Sequence, residues 1–166
     1  MAIGSDPISS VSMDVNIAGT GVTWDIIPQS PTAESVNTRL RFDPAGDVSV
    51  LVNDPVTGPG FVSTGVSTPS GYFNVRIEVV RATSEFSIFI NNDLIFEGVG
   101  FAGDIEQLVV LSLMEVGGPT LDLDNVKIFD GSSDENFVPA IALGPLEGVI
   151  PAGGSVDLDV LFDANR

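Results

Sequence analysis

The acidic segment Asp122-Leu123-Asp124-Asn125 contains the side chains of this sequence that are best suited to hold a metal ion. Asp122 and Asp124 are two positions apart, so on a regular strand both carboxylates leave the same face. Carboxylate and amide oxygens are the hard ligands that calcium takes in proteins, and Asn125 adds such an oxygen. We therefore predict structural calcium at Asp122, Asp124 and Asn125. The alternative is that Asp124 only hydrogen-bonds a neighbouring loop.

Four other side chains have the chemistry of a sugar-binding surface, namely Trp24, Arg39, Arg41 and Phe89. Aromatic rings stack on the apolar faces of sugars, and arginine donates hydrogen bonds to hydroxyls. Arg39 and Arg41 share one face of their strand, and Phe89 points away from the apparent core. If one concave sheet carries all four, they form a glycan groove. The alternatives are that Trp24 is an ordinary core aromatic and that the arginines pair with acids on neighbouring strands.

Most catalytic chemistry is excluded by the composition. The chain has no His and no Cys, which excludes a Ser-His-Asp triad, an imidazole or thiolate metal site, a disulfide and a cysteine nucleophile. A pair of carboxylates could still hydrolyse a glycosidic bond. Four candidate glutamates are isolated from one another: Glu85, Glu97, Glu106 and Glu115. We therefore predict that the protein is not an enzyme, with a degenerate glycoside hydrolase as the alternative.

The net charge of the 166 residues is −17, from 23 acidic and 6 basic side chains. The basic side chains are scattered, whereas binding to nucleic acid needs clustered Lys and Arg. No apolar run approaches the roughly 20 residues of a membrane span, and no basic amphipathic helix is visible. We therefore predict neither a nucleic-acid partner nor membrane insertion. The acidic side chains are expected mainly to solvate the surface.

Strands rather than helices are predicted along the whole chain. Apolar residues alternate with polar ones in segment after segment, and the helical spacing i, i+3, i+4, i+7 is not found. The alternation is clearest in five segments: 11–17, 48–52, 75–79, 86–90 and 109–113. Together with shorter runs they give about ten to twelve strands. That number is too large for one flat sheet, so we predict an all-β sandwich of two packed antiparallel sheets.

Turn-forming residues separate these runs. Asp43-Pro44-Ala45-Gly46-Asp47 predicts a tight hairpin between strands at 38–43 and 47–53, and Asn91-Asn92-Asp93 predicts a second hairpin. The segment Gly98 to Gly103 imitates the glycine pattern of a dinucleotide-binding turn. No helix follows it, so we assign it no such role.

The last long strand of the first domain changes phase halfway along its length. Leu121 and Leu123 define one face, whereas Val126 and Ile128 have the opposite parity. A bulge near Asp124-Asn125 would put all four apolar side chains on the core side. The alternative is a strand that is buried on both faces.

The composition changes after residue 129, which predicts a domain boundary. Residues 131–137 are rich in Gly, Ser and acids and are predicted to link a domain at 1–130 to a second apolar part at 138–166. The second part contains two or three short strands, which are too few to bury a core of their own. It therefore packs on the first domain, pairs with another chain or begins a further domain.

Five segments of the first domain resemble strands of a concanavalin A-like (laminin G-like) jelly roll of the kind found in bacterial surface proteins. They are Ile8 to Ile17, RLRFDPAG at 39–46, GYFNVRIEV at 71–79, FSIFINN at 86–92 and LDLDNVKI at 121–128. In the third segment Tyr72-Phe73 stands where the family usually has Trp. The tail at 146–164 resembles the opening of a Hydin-type immunoglobulin-like module.

The resemblance implies a two-sheet antiparallel jelly-roll sandwich with a C-terminal β-rich extension, cut from a longer multidomain protein that is secreted or displayed on a bacterial surface. Related jelly rolls often hold calcium with an acid of the closing strand. The laminarinase-type glucanases share the fold, but they carry a Glu-x-Asp-x-x-Glu run that this sequence lacks. We therefore expect a non-catalytic, lectin-like module for binding a glycan or surface polysaccharide, or for adhesion. The alternative is a structural or assembly module whose C-terminal strands pair with a neighbouring domain or chain.

Overall fold

A computed structural model describes residues 7–112, 118–131, 148–151 and 155–158, the last two segments as backbone. Thirteen strands lie in these residues. They are β1 Ile8–Ala18, β2 Trp24–Ser30, β3 Ser35–Val36, β4 Leu40–Phe42, β5 Asp47–Asp54, β6 Gly58–Ser67, β7 Phe73–Val80, β8 Glu85–Ile90, β9 Asp93–Val99, β10 Gln107–Ser112, β11 Thr120–Asp130, β12 Gly148–Pro151 and β13 Ser155–Leu158. A short 3-10 helix, Pro31–Ala33, follows β2. No helix within the described segments is long and apolar enough to cross a membrane.

The strands form two antiparallel sheets that pack into a sandwich, as predicted. The six-stranded sheet has the order β12-β11-β1-β7-β8-β9. The seven-stranded sheet has the order β13-β10-β2-β4-β5-β6, with the short β3 paired to β2. Neighbouring strands in each sheet are often far apart in sequence. This strand order brings residues of β2, β4 and β6 onto one surface.

The core consists of the alternate apolar residues of both sheets. In the six-stranded sheet the inward residues of β1 and β7 are completely or almost completely buried, and those of β2, β4 and β5 face them from the other sheet. The largest buried side chains include Trp24, Phe42, Met13, Ile26 and Leu40. Alternation with period two therefore gives each strand one apolar face for the core and one polar face for the outside.

Both predicted hairpins are confirmed. Strands β4 and β5 are joined by the turn at 43–46, where Gly46 has a positive φ of 88° and the Asp43 carboxylate accepts two backbone hydrogen bonds. Strands β8 and β9 are joined by Asn91 and Asn92, with φ of 51° and 68°. Asparagine tolerates this left-handed conformation better than most residues, which explains why it marks the turn.

The predicted bulge in β11 is also confirmed. The register of β1 against β11 shifts between the pairs Ser12–Lys127 and Asp14–Asp124, so β11 contains one extra residue at this point. Asn125 has a positive φ of 51°. The bulge restores the phase of the strand: residues 121, 123 and 126 are buried in the core, and residue 128 packs against it.

The glycine-rich segment after β9 is a tight structural loop. A Cβ atom on Gly100 would lie 2.1 Å from the carbonyl oxygen of Asn37, and one on Gly103 would lie 2.0 Å from that of Arg81. Asn37 is fully buried, and its amide donates to the carbonyls of Ala102 and Asp104. The glycines therefore allow close backbone contact rather than phosphate binding.

The C-terminal strands extend both sheets. Strand β12 pairs with β11 in the six-stranded sheet, and β13 pairs with β10 in the seven-stranded sheet. The expected C-terminal β-rich extension is therefore present at 148–151 and 155–158. The predicted linker 131–137 lies outside the described residues apart from Gly131. The domain boundaries and the resemblance of 146–164 to an immunoglobulin-like module stay predictions.

Candidate functional site

Asp25 is a fully buried carboxylate on the outer face of the seven-stranded sheet. It lies on β2 directly opposite Arg41 of β4, which binds it side-on: Nε is 2.8 Å from Oδ1 and Nη2 is 3.0 Å from Oδ2. Arg39, one residue before β4, donates from Nη2 to the same Oδ2. One buried carboxylate thus holds two guanidinium groups side by side, and such bidentate, charge-assisted bonds fix their orientation.

Phe61 of β6 completes this surface. The guanidinium carbon of Arg41 lies 3.8 Å from the centroid of its ring, and that of Arg39 lies 6.0 Å away. On the intervening strand β5, Ser49 lies opposite Arg41 and Leu51 lies opposite Phe61. The Phe61 side chain is 38% exposed. We call Asp25, Arg39, Arg41 and Phe61 the arginine platform.

The arginine platform is a positively charged spot on an acidic protein. Two guanidinium groups and one carboxylate leave one net positive charge, whereas the chain as a whole carries −17. The hydrogen bonds from Arg41 to Asp25 raise the pKa of the guanidinium above its ordinary value, and the charges of Asp25 and Asp43 add to that effect against the cost of burial. Arg41 therefore stays charged at neutral pH.

The four residues predicted to bind a sugar do not lie on one surface. Trp24 is the residue before Asp25, so its side chain points to the opposite face of β2, where it is 1% exposed and belongs to the core. Trp24 is therefore an ordinary core aromatic, which was the alternative to a sugar-binding role. The arginines pair with an acid across the strands, as the second alternative stated, although they remain 27% and 24% exposed.

Phe89 lies on the other sheet. It is half-buried on the outer face of β8, where the guanidinium carbon of Arg76 lies 4.2 Å from its ring centroid. Arg76 also forms an ion pair with Glu78, with Nε 3.0 Å from Oε1. The single groove expected from Trp24, Arg39, Arg41 and Phe89 is therefore not formed, and the platform contains only the two arginines of that set.

The predicted calcium ligands lie on the outer face of the six-stranded sheet, around the bulge. The Asp14 carboxylate accepts from the amides of Asn74 and Asn125 at 3.0 and 2.7 Å, and Asp122 accepts from Asn16 at 3.2 Å. The Asp124 carboxylate accepts from the backbone N–H of Asn125 at 2.7 Å.

The three predicted ligands are hydrogen-bonded to other groups of the protein. The carboxylates of Asp122 and Asp124 each accept a hydrogen bond, and the amide of Asn125 donates to Asp14, the cross-strand neighbour of Asp124. No group of three or more metal-ligating side chains occurs within the described residues. Calcium at Asp122, Asp124 and Asn125 stays a prediction.

Comparison with known proteins supports the fold of this chain and nothing more. No protein-family model matches the chain, and no curated protein matches it. Among solved structures it is similar to a protein named "Sialidase", with a TM-score of 0.53 over 67% of this chain at 15% identity. The match covers 10% of that protein, so most of its length has no counterpart in this chain. At this identity the likeness supports the β-sandwich and says nothing of activity.

Asp25 and Phe61 are the platform residues that the sequence did not reveal. For Asp25 a signal exists: it is a charged residue in the first half of β2, where its neighbours Trp24, Ile26 and Ile27 are all large and apolar. A charge in that setting needs a partner across the sheet. For Phe61 no local signal exists, because its contact with Arg41 spans two strand pairings, β4–β5 and β5–β6.

Proposed function

We propose that this chain is a non-catalytic β-sandwich module that binds carbohydrate through the arginine platform. The observation that carries the proposal is a pair of guanidinium groups held together by a buried carboxylate beside an exposed aromatic ring. Guanidinium N–H groups donate hydrogen bonds to sugar oxygens, and the ring offers an apolar surface to the C–H face of a sugar. This combination of a flat ring and fixed donors is typical of sugar recognition.

The platform is ordered before any ligand binds. The bonds to Asp25 use Nη2 of Arg39 and both Nε and Nη2 of Arg41, which leaves the Nη1 groups of both arginines for a ligand. Because Asp25 and the sheet already fix these side chains, a ligand loses less affinity to side-chain ordering than it would on free arginines. The net positive charge favours glycans that carry an acidic or a strongly polar group.

Sequence features support the rest of the proposal. The absence of His, of Cys and of a Glu-x-Asp-x-x-Glu run favours binding over catalysis. The resemblance to concanavalin A-like jelly rolls of bacterial surface proteins favours a secreted or cell-surface protein with neighbouring domains. The assembly alternative needs C-terminal strands that are free for a partner, whereas β12 and β13 already pair with β11 and β10.

A glycan array followed by calorimetric titration of the best glycan tests the proposal. The variant Phe61→Ala removes the exposed ring of the platform, and we expect its Kd to be about tenfold weaker, which corresponds to about 1.4 kcal/mol. The matched control is Phe89→Ala, which removes an arginine-stacked ring from the other sheet and is expected to leave the Kd unchanged.

The outcomes separate the competing hypotheses. No binding to any glycan would contradict the proposal, and loss of binding in Phe89→Ala but not in Phe61→Ala would move the site to the six-stranded sheet. New reducing ends after incubation with the bound glycan would show a glycosidase. Calcium would be indicated by a melting temperature that falls when a chelator is added.

A further inference from the structure

A pocket of about 200 Å³ opens at one end of the sandwich, apart from the arginine platform. Three segments meet there: the β1–β2 connection at 19–22, the β4–β5 turn at 43–46 and the residues that follow β6. Trp24 and Phe42 are among its lining residues and are each 1% exposed. Trp24 points inward from β2 while Asp25 points outward, so the pocket and the platform lie on opposite faces of the same sheet.

Two buried polar groups on the pocket lining lack a partner among the described residues. They are the indole N–H of Trp24 and the hydroxyl of Thr68. A buried donor or hydroxyl without a partner destabilises a fold, and most proteins satisfy such groups. Trp24 is 1% exposed, and its N–H has no partner among the described residues, so an outside acceptor that reached this N–H would be stabilised.

The walls of the pocket are held rigidly. The N–H of Thr68 donates to the carbonyl oxygen of Gly46 at 2.7 Å, which ties the segment after β6 to the β4–β5 turn. Within that turn the Asp43 carboxylate accepts from the N–H groups of Ala45 and Asp47 at 2.8 and 3.0 Å. A preformed pocket binds without the entropic cost of ordering its loops.

The lining has the character of a site for a small neutral ligand. Its side chains are mostly apolar, and its one charged side chain is Asp43, a carboxylate. That negative charge disfavours an acidic ligand. A volume of about 200 Å³ equals that of about seven water molecules at about 30 Å³ each. This is room for one ring with its hydroxyl groups and not for an oligosaccharide.

We propose that this pocket binds a single neutral sugar ring, as a second carbohydrate site that does not depend on the platform. The apolar lining contacts the C–H face of the ring. One ligand oxygen accepts the indole N–H of Trp24, and a second exchanges a hydrogen bond with the Thr68 hydroxyl. The pocket then takes a terminal residue or a free monosaccharide, whereas the open platform accommodates a longer chain.

The sole tryptophan makes the proposal directly measurable. Trp24 is the only tryptophan of the chain, so its emission reports on the pocket without labelling. Titration of the full chain with methyl glycosides of glucose, galactose and mannose is expected to give a saturable change in emission for at least one of them. A ligand of this size is expected to have a Kd of about 1 mM. The same titration with glucuronic acid is expected to give a weaker response.

Paired variants test the assigned contacts. Thr68→Val keeps the shape of the side chain and removes the hydroxyl, so we expect binding about five- to tenfold weaker with an equal or higher melting temperature. Thr68→Ser keeps the hydroxyl and is expected to retain the affinity. Phe61→Ala alters only the platform and is expected to retain the emission change.

Several results would overturn the proposal. They are the absence of a saturable emission change with every neutral glycoside, a tighter response to glucuronic acid, equal affinity in Thr68→Val, and loss of the response in Phe61→Ala. The last result would mean that Trp24 senses the platform. The proposed function is tested by calorimetry on Phe61→Ala with an oligosaccharide. Binding at the platform and binding at the pocket are therefore tested independently.

Discussion

A carboxylate with no solvent exposure requires compensation, and Asp25 receives it from two arginines. Arg39 and Arg41 contact it through three hydrogen bonds, while their own side chains keep some access to water. Removal of the negative charge would leave two adjacent guanidinium groups that repel each other. The platform therefore depends on a residue that a ligand cannot touch.

We expect Asp25→Asn to destabilise the protein by about 1–3 kcal/mol, below the range for fully buried pairs because the arginines are partly solvated. The measurement is urea unfolding followed by circular dichroism. Asp93→Asn is the matched control, since Asp93 is exposed at the start of β9, and its effect is expected to stay within about 0.5 kcal/mol. Equal stability of the Asp25 variant and the wild type would show that the carboxylate is dispensable for the fold.

Glu78 lies on β7 of the six-stranded sheet, and its carboxyl makes the stability of the protein depend on pH. Burial raises the pKa of its carboxyl above the ordinary 4.5, and the charge of Arg76 only partly opposes that effect. Its ionisation is therefore less favourable in the folded than in the unfolded state. At low pH, where the carboxyl is protonated in both states, this cost is absent, and it develops as pH rises from the ordinary pKa through the raised one.

Glu78→Gln should remove that cost. We expect the stability of the variant relative to the wild type to increase as pH rises from about 4 to about 7. Urea unfolding at several pH values measures the difference. The control Glu97→Gln changes an exposed side chain on β9 and is expected to show no such trend. A relative stability that falls with rising pH would mean that the ion pair with Arg76 outweighs burial.

Turns and the bulge could be predicted because residues close together in the sequence determine them. The hairpin turns follow from residues that tolerate positive φ, and the bulge in β11 follows from the phase of four apolar residues. The platform required more, because the strand that faces β2 is β4 and the strand that brings Phe61 is β6. Strand order is non-local, so the sequence suggested Arg39 and Arg41 but not the two residues that complete the site.

The loop between β9 and β10 is the element for which the sequence pattern was most misleading. Gly100 and Gly103 resemble a nucleotide motif, yet each fits against a backbone carbonyl. We expect Gly100→Ala and Gly103→Ala each to destabilise the protein by about 2–4 kcal/mol, because backbone must move to admit a Cβ.

Gly60→Ala on β6 is the matched control for these variants. Its Cβ would meet nothing within 4 Å, and its φ lies outside the left-handed region. Differential scanning calorimetry of the three variants compares them under one condition. If Gly60→Ala lowers the melting temperature as much as the loop variants do, close backbone contact is not the reason for these glycines.

At the scale of the whole molecule, the two sides of the sandwich have different edge strands. One side of the sandwich has the edge strands β6 and β9, whereas on the other side β12 and β13 add to the ends of both sheets. An uncovered edge presents unpaired N–H and C=O groups, to which another chain can bind. The C-terminal strands therefore cover residues 120–123 of β11 and 108–111 of β10 and replace these longer edges by short ones.

Deletion of residues 132–166 tests this protective role. The remaining chain retains β1 to β11 and their core, so we expect it to fold. Loss of the ladders to β11 and β10 is expected to lower the melting temperature by about 5 °C or more and to cause concentration-dependent self-association. A control that lacks only residues 159–166 keeps both strands and should behave as the full chain does. Scanning calorimetry and sedimentation velocity measure the two effects, and a monomeric deletion variant with an unchanged melting temperature would mean that β12 and β13 contribute nothing to the sandwich.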